Sequence, residues 1–273
     1  MRALLAKHAG QHKYDHGHAL VLAGGSGRGG AARLAAHAAL RAGAGLVTLA
    51  CPADAVAENA ARLDAVMLRE AENAADLCRL LEDARINALC LGPGFGLGPK
   101  TRAIVAAACG SGRNVVLDAD ALTSFADGPE ALFDVLHEGC VLTPHAGEFA
   151  RLFGELPTGD EAPERAAAVA AAARRSGAVV LLKGALTLVA APDGTLLAAD
   201  ATGPAAAPWL ATAGSGDVLA GMVCGLLARG IEPPMAGAVA AWLHAECARS
   251  FGPGLIAEDL ADALPGVYSG LGL

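Results

Sequence analysis

Short, uninterrupted apolar runs recur along this chain and alternate with longer Ala- and Leu-rich segments of helical pattern. A strand whose residues are all apolar has to be covered on both of its faces. Parallel sheets with a layer of helices on each side provide such cover, and their strands alternate with helices along the chain. The pattern therefore predicts an α/β fold, with a mostly parallel central sheet between two helical layers.

The individual elements follow from these patterns. Six apolar runs predict strands at Ala19–Ala23, Leu46–Ala50, Ala88–Leu91, Val115–Leu117, Cys140–Thr143 and Val179–Leu182. Helices are predicted at Ala31–Ala42, Thr101–Ala108, Ala162–Ser176, Asp217–Ala228 and Pro234–Arg249. Near the C-terminal end, Pro192-Asp193-Gly194 separates the apolar runs Thr187–Ala191 and Thr195–Ala199, which predicts an antiparallel hairpin. No linker, repeat or charge block divides the chain, so residues 1–273 are expected to form a single domain.

Composition narrows the class of protein. Hydrophobic residues make up 54% of the chain and aromatic residues only 4%, which favours Ala-rich helices packed closely on a sheet over a β-sandwich. A formal net charge of −8 argues against a nucleic-acid or anionic-membrane partner. No apolar run is long enough for a transmembrane helix or a signal-peptide core. The seven cysteines include no C-x-x-C pair, so we expect reduced thiols in a cytoplasmic protein.

Glycine-rich or polar clusters lie where ligands bind in this class of fold. Open α/β sheets bind ligands beyond the carboxyl ends of their strands, in the loops that lead into helices. Five clusters directly follow a predicted strand and the sixth opens a predicted helix. The clusters are Gly24–Gly30, Gly92–Gly98, Asp118–Asp120, Thr143–Glu148, Lys183–Thr187 and Ala213–Asp217.

The cluster with the strongest chemical signal is Gly214-Ser215-Gly216-Asp217. Two glycines at the start of a helix can present unpaired N–H groups to an anion. A carboxylate in the first turn would lie beside that anion, where phosphoryl transfer requires a base for the hydroxyl proton. An ordinary helix cap by Ser215 or Asp217 is the alternative.

Two further clusters carry a charged residue that suits a nucleotide. Lys183 follows an apolar strand and can reach a phosphate, while Gly184 permits close approach of the backbone. His145 can bind a substrate and Glu148 can bind Mg²⁺. A solvated lysine and an ordinary helix start are the alternatives for these two clusters. Asp118 and Asp120 can support a metal or substrate, or can be a strand-end acid and a cap.

A different class of enzyme is suggested by Gly25-Ser-Gly27-Arg-Gly-Gly30. It matches the G-x-G-x-x-G fingerprint of dinucleotide-binding folds, and Asp54 lies at a distance that suits a ribose-binding acid. This interpretation predicts an NAD(P)-dependent oxidoreductase. It leaves Lys183 and the Gly214–Asp217 cluster unexplained. A glycine-rich turn that packs a helix tightly on the first strand is the simpler alternative.

Taken in order, the motifs resemble those of the ADP/ATP-dependent NAD(P)H-hydrate dehydratases, a branch of the ribokinase-like fold. The resemblance runs from HKYDHGHALVLAGG through LGPGFG, VVLDADAL, LTPHAGEFARL and LLKGALTLV to ATAGSGDVLAGMVCGLLARG. It covers nearly the whole chain. One departure is the segment Ala205–Leu210, where the family often has Gly-Asn-Pro-Gly-Met.

The resemblance implies a three-layer ribokinase-like domain and a repair reaction. A nucleotide phosphorylates the C6 hydroxyl of hydrated NADH or NADPH (NADHX, NADPHX), and loss of phosphate restores the reduced cofactor. Asp217 would be the base, with Gly214 and Gly216 forming the anion hole. The nucleotide would bind at Lys183, Gly184, Ala185, Leu186, Thr187 and Gly216. The hydrated dinucleotide would contact Ala31, Gly94, Gly96, His145 and Asp217.

The resemblance also implies cofactors and partners. ADP, or alternatively ATP, would be the phosphoryl donor, and Glu148 would help to organise Mg²⁺. Relatives are often homotetramers, and a separate epimerase would interconvert the hydrate epimers. A small-molecule kinase of the same fold, acting on a vitamin precursor, is the main alternative function, because the residues alone do not separate it from a dehydratase. A non-catalytic nucleotide sensor is another.

Overall fold

The computed structural model describes residues 1–154, 156 and 161–273. Within them, nine strands form one sheet in the order β3-β2-β1-β4-β5-β6-β7-β8-β9. Strands β1 to β7 are parallel, whereas β8 runs antiparallel to both β7 and β9. The strands are β1 His18–Leu22, β2 Leu46–Cys51, β3 Met67–Glu70, β4 Ile86–Leu91, β5 Asn114–Leu117, β6 Cys140–Leu142, β7 Val179–Leu182, β8 Leu186–Ala190 and β9 Leu196–Asp200.

Twelve α-helices occur in the same residues and cover both faces of the sheet. They are α1 Arg2–Leu5, α2 Gly29–Arg41, α3 Val56–Ala60, α4 Ala74–Leu80, α5 Pro99–Gly110, α6 Asp120–Thr123, α7 Glu130–Phe133, α8 Ala146–Phe153, α9 Ala162–Ser176, α10 Ser215–Ala228, α11 Pro233–Phe251 and α12 Ala257–Gly270. Helices α2, α10, α11 and α12 share one hydrophobic core with the sheet. Helices α4, α5, α8 and α9 share the other.

The predicted fold class is confirmed. Every strand and helix predicted from the sequence occurs, with ends that differ by two residues or fewer. Strand β1 shows why its run is apolar throughout, because Ala19 and Val21 face one core and Leu20 and Leu22 face the other. The sequence patterns missed the edge strand β3, the C-terminal helix α12 and the short helices α1, α3, α4, α6 and α7.

Helices α2 and α10 touch through their backbones. A Cβ atom placed on Gly221 of α10 would lie 2.1 Å from the carbonyl oxygen of Ala35 in α2. One placed on Gly225 would lie 2.4 Å from the carbonyl oxygen of Ala39. Only glycine permits this approach, so the small residues of the two helices fix their separation.

The sheet topology determines where a ligand can bind. Strand order reverses at β1, because the chain passes from β1 outward to β2 and β3 and then returns to β4 on the other side. A crevice forms at the carboxyl ends of the strands at such a reversal. The two glycine-rich loops, Gly24–Gly30 and Gly92–Gly98, follow the two strands that flank it. In the described part of the chain, no helix combines the length and the apolar character needed to cross a membrane.

Candidate active site

The turn Gly214-Ser215-Gly216, called the anion turn below, brings the first backbone N–H groups of α10 to the carboxyl edge of the sheet. Gly214 caps the helix with φ of +87°, a left-handed conformation. A Cβ on Gly214 would also lie 2.8 Å from Leu34 Cδ1 and 2.9 Å from the Cβ of Ala257. Backbone conformation and space therefore both require glycine at this position. The open N–H groups of the helix start are suited to an anion.

Lys183, at the end of β7, lies beside this turn. Its Nζ donates a hydrogen bond of 2.7 Å to Oδ1 of Asp118, which is only 1% exposed. Thr143 Oγ1 donates to the same oxygen over 2.9 Å. A Cβ on Gly216 would lie 3.4 Å from Lys183 Nζ. The buried Asp118 therefore holds the ammonium group of Lys183 close to the anion turn.

Asp217 has an unusual electrostatic environment in the first turn of α10. Burial and the nearby Asp118 raise its pKa to about 6, and Asp120 adds to this shift while Lys183 opposes it. A carboxylate with a raised pKa is a better proton acceptor than an ordinary one, and it is still ionised at neutral pH. The first turn of α10 thus places a carboxylate of raised pKa next to a turn suited to an anion and to the ammonium group of Lys183.

Two glycine substitutions in this turn have opposite expected effects on stability. Gly216 lies inside α10 without steric conflict, so Gly216→Ala should raise the free energy of unfolding by about 0.5–1 kcal/mol through helix propensity. Its methyl group would occupy the anion turn beside Lys183, so turnover should fall at least about tenfold. Gly214→Ala should instead lower stability, because its φ and its neighbours exclude a side chain. Thermal melting and turnover of both variants test this pair, and a fully active Gly216→Ala would contradict it.

The strand-end acids Asp118 and Asp120 are held by a strained backbone. Ala119 between them has φ of +45°, the one positive value for a non-glycine residue among the residues described. Strain of this kind persists only where the surrounding structure enforces it. Asp118 faces inward to Lys183, while Oδ2 of Asp120 accepts a hydrogen bond of 2.7 Å from the N–H of Gly96. Asp120 thereby connects β5 to the glycine loop after β4.

A cavity of about 740 Å³ opens beside Lys183 and the anion turn. Of the residues expected to bind nucleotide, it is lined by Lys183, Gly184, Ala185, Thr187 and Gly216. His145 lines it too, although the sequence predicts this residue on the dinucleotide side. The divergent segment also contributes to the wall, through Ala206, Ala207, Pro208 and Leu210. A cavity of about 790 Å³ between α2 and α12 is slightly larger, but neither Lys183 nor the Gly214–Gly216 turn lines it.

His145 and Glu148 form a reciprocal cap at the start of α8. His145 Nδ1 accepts a hydrogen bond of 2.9 Å from the N–H of Gly147, and Glu148 Oε2 accepts one of 2.9 Å from the N–H of His145. The N–H of Lys183 donates to the carbonyl of Pro144, which connects the start of α8 to the residue that follows β7. No group of three potential metal ligands occurs among the residues described. Mg²⁺ usually binds proteins through one or two carboxylates together with phosphates and water, so Glu148 as its ligand stays a prediction.

The dinucleotide fingerprint at Gly25–Gly30 has the expected placement after β1 and before α2. Its N–H groups, however, already face carboxylates. Gly27 N–H donates to Glu58 Oε2 over 2.8 Å, and Ser26 N–H lies 3.4 Å from Asp54 Oδ2. A pyrophosphate at these N–H groups would have to displace Glu58. The oxidoreductase interpretation is therefore disfavoured by the geometry of the loop.

Residues expected to contact the hydrated dinucleotide lie on both sides of the crevice. A Cβ on Gly94 would lie 3.5 Å from the Cβ of Ala31, so these two residues face each other. A Cβ on Gly96 would lie 3.3 Å from Arg28 Nη1. The structure thus brings Ala31, Gly94 and Gly96 together at the reversal of strand order.

Two side-chain pairs at the site were not predicted from the sequence. One is Asp118 with Lys183, described above. The other is Ser215 with His244 of α11, whose Nε2 lies 2.9 Å from the Ser215 carbonyl oxygen and 3.1 Å from Ser215 Oγ. The sequence offered one signal for the second pair, a histidine within the apolar helix pattern AVAAWLHAE.

Comparison with known proteins identifies the family. Residues 19–264 match the sequence model of the NAD(P)H-hydrate dehydratases. The chain is 40% identical over 279 residues to the bifunctional NAD(P)H-hydrate repair enzyme of Moorella thermoacetica, with 97% of this chain and 52% of that protein covered. The chain thus spans about half the length of the curated relatives it matches.

Solved structures agree with this result. One is the ADP/ATP-dependent NAD(P)H-hydrate dehydratase of Bacillus subtilis, which was co-crystallised with ATP and Mg²⁺. It superposes with a TM-score of 0.78 at 30% identity, and the match covers 98% of this chain and 95% of the Bacillus chain. A ribokinase-like superfamily protein of Enterococcus faecalis superposes with a TM-score of 0.80 at 22% identity, over 99% and 94% of the two chains, and shows the shared fold. The chain belongs to the NAD(P)H-hydrate dehydratase family, within the ribokinase-like fold.

Proposed function

We propose that this protein restores NADH and NADPH from their hydrates, NADHX and NADPHX, at the expense of ADP or ATP. The observation that carries the proposal is the position of Asp217, a carboxylate of raised pKa in the first turn of α10, beside the anion turn and Lys183. Membership of the dehydratase family supports the choice of substrate. The same geometry would also suit a kinase, so the reaction has to be tested by its products.

Groups at the site account for the phosphoryl transfer, and the ring nitrogen of the substrate drives the elimination that follows. Asp217 accepts the proton of the C6 hydroxyl as that oxygen attacks the terminal phosphorus of the nucleotide. The N–H groups of Gly214 and Gly216 and the ammonium of Lys183 stabilise the charge on the transferred phosphoryl group. The ring nitrogen then supplies electrons as the C6–O bond breaks and phosphate departs. Transfer of a proton from the neighbouring ring carbon to solvent then forms the ring double bond and completes the removal of water.

The remaining assignments are proposals of the same kind. Mg²⁺ would be held through Glu148 and the nucleotide phosphates, and it would neutralise phosphate charge. The nucleotide would bind in the 740 Å³ cavity. Its proposed contacts are Lys183, Gly184, Ala185, Leu186, Thr187 and Gly216. The hydrated dinucleotide would extend from Asp217 into the crevice, with Ala31, Gly94, Gly96 and His145 as its contacts.

Other features of the protein also stay predictions. We infer that residues 1–273 act as one catalytic domain, since the described strands belong to one sheet. A cytoplasmic location and a homotetramer are expected from the sequence and its resemblance. Fractionation of the native cells and sedimentation of the purified protein would test these two expectations.

A turnover assay on acid-hydrated NADPH tests the proposed function. The protein is incubated with Mg²⁺ and with ADP, ATP or no nucleotide. We expect the absorbance of NADPH to return only when nucleotide is present, with one phosphate released for each NADPH formed. A stable phosphoester in place of phosphate would indicate a kinase. Absence of turnover with both nucleotides, in protein shown to bind ADP, would refute the dehydratase.

The pH dependence of this reaction should report on Asp217. Because the base has to be ionised, kcat/KM should fall as the pH drops below about 6, the pKa of Asp217. An unperturbed aspartate base would keep nearly full activity down to a pH of about 5. Initial rates between pH 5 and 8, with protein stability checked at each pH, distinguish the two cases. A flat profile over that range would show that the base does not titrate near pH 6, and would contradict the raised pKa of Asp217.

A further inference from the structure

His244 is a buried imidazole that no step of the proposed reaction uses. It lies on α11 and is 7% exposed. Its Nε2 is within hydrogen-bond distance of two atoms of Ser215, the carbonyl oxygen at 2.9 Å and Oγ at 3.1 Å. A carbonyl oxygen can only accept, so Nε2 carries the hydrogen and donates to it. The contact therefore fixes the tautomer of His244 and connects α11 to the first residue of α10.

The carbonyl group of Ser215 belongs to the same peptide unit as the N–H of Gly216. A peptide unit is planar and trans, so its C=O and N–H point in opposite directions. A donor that holds the Ser215 oxygen toward α11 thus directs the Gly216 N–H away from α11. Gly216 itself lies beside Lys183, as the distance of 3.4 Å from its Cβ position to Nζ shows.

The imidazole of His244 holds the Ser215 carbonyl without adding charge to the site. Burial lowers the pKa of His244 to about 4, with a further decrease from Lys183 and an opposing contribution from its bond to Ser215. The ring is therefore neutral near pH 7. A contribution of His244 to the reaction is then one of geometry rather than of charge.

We propose that His244 is a positioning residue for phosphoryl transfer, which holds the Ser215 carbonyl and thereby sets the direction of the Gly216 N–H in the anion hole. This inference rests on the proposed function, because it concerns the same anion hole. It assigns to α11 a role in the reaction although His244 need not touch the transferred group.

A set of three variants tests the role of the Nε2–H donor. His244→Leu removes the donor and nearly keeps the volume, while the amide of His244→Gln can still donate to Ser215. Ser250→Ala, in the same helix, removes a hydroxyl that, among the described residues, donates to the carbonyl of Cys247 alone. We expect kcat to fall about 10- to 100-fold in His244→Leu, somewhat less than for outright removal of an oxyanion donor. His244→Gln should recover most of kcat, and Ser250→Ala should resemble the wild type.

Three readouts distinguish positioning from general support of the fold. The Kd for ADP and the melting temperature should change little in His244→Gln, and the loss in His244→Leu should fall on kcat rather than on KM. In protein labelled with ¹⁵N-glycine, the amide resonance of Gly216 should move in His244→Leu and stay near its wild-type position in His244→Gln. Because this resonance is measured without turnover, it still tests the inference if the wild type proves to be no dehydratase.

Several outcomes would overturn the inference. One is a His244→Leu variant with wild-type kcat. Another is a His244→Gln variant that folds and binds ADP yet is as slow as His244→Leu. An unmoved Gly216 resonance in His244→Leu is a third. If His244→Leu does not fold, His244→Gln and its Gly216 resonance still decide the matter, because the retained donor has to preserve both kcat and the resonance.

Discussion

Replacement of Asp217 by asparagine is expected to lower kcat by about 10²- to 10⁴-fold, as the loss of a general base does. Asparagine has nearly the same shape, so it keeps the first turn of α10 but cannot accept the proton of the C6 hydroxyl. Nucleotide affinity should stay within a few fold of the wild type, because Lys183 and the glycine turn remain. Single-turnover rates on NADPHX and calorimetry with ADP measure the two quantities.

The same variant should be at least as stable as the wild type. The pKa of Asp217 is higher in the folded protein than in the unfolded chain, so its ionisation destabilises the fold as the pH rises from about 4 to about 6. Asparagine removes that penalty, and the free energy of unfolding at pH 8 should rise by about 1–3 kcal/mol. An inactive variant with increased stability could not be explained by misfolding. Near-normal turnover would remove Asp217 from the mechanism.

The largest expected loss of stability comes from Gly221→Ala. The added Cβ would lie 2.1 Å from the Ala35 carbonyl oxygen, which is a backbone atom and cannot turn aside as a side chain would. Helices α2 and α10 would have to separate along their contact, and tight cores lose about 1–3 kcal/mol or more when they are overpacked. We expect about 3 kcal/mol or more, a large part of the 5–15 kcal/mol typical of whole proteins.

Gly266→Ala in α12 is the matched control, since it makes the same change inside a helix. A Cβ on Gly266 has no neighbour within 4 Å among the described residues, so only helix propensity should act. That variant should gain about 0.5–1 kcal/mol. Denaturant unfolding followed by circular dichroism measures both changes. Equal effects of the two substitutions would show that the contact between α2 and α10 is looser than described.

The regular elements could be predicted because their signals are local. Each apolar run and each helical pattern contains its own periodicity, and the alternation of the two implies the parallel sheet. Strand β3 was missed because Arg69 and Glu70 are exposed on an edge strand, so its four residues form no apolar run. Helix α12 was missed because Pro265 and Gly266 interrupt its pattern, although it continues through them to Gly270.

The location of the site could also be predicted, because the carboxyl ends of parallel strands meet at one edge of the sheet. The pairs that organise it could not. Asp118 and Lys183 are 65 residues apart, and Ser215 and His244 are 29 apart. Such pairs depend on how separate elements pack, which no local pattern encodes. The cap formed by His145 and Glu148 joins residues three positions apart, and it is the kind of contact that a sequence does suggest.

The direct contact between the backbones of α2 and α10 affects how the enzyme loses activity on heating. Helix α2 starts at the glycine loop Gly24–Gly30, and α10 starts at the anion turn. Neither helix start can open far without separating the glycines of α10 from the carbonyl groups of α2 that they touch over about one turn of helix. Local opening at the active site should therefore require nearly as much free energy as unfolding the whole domain. Heat inactivation should accordingly coincide with the loss of secondary structure, with no inactive but folded species accumulating before it.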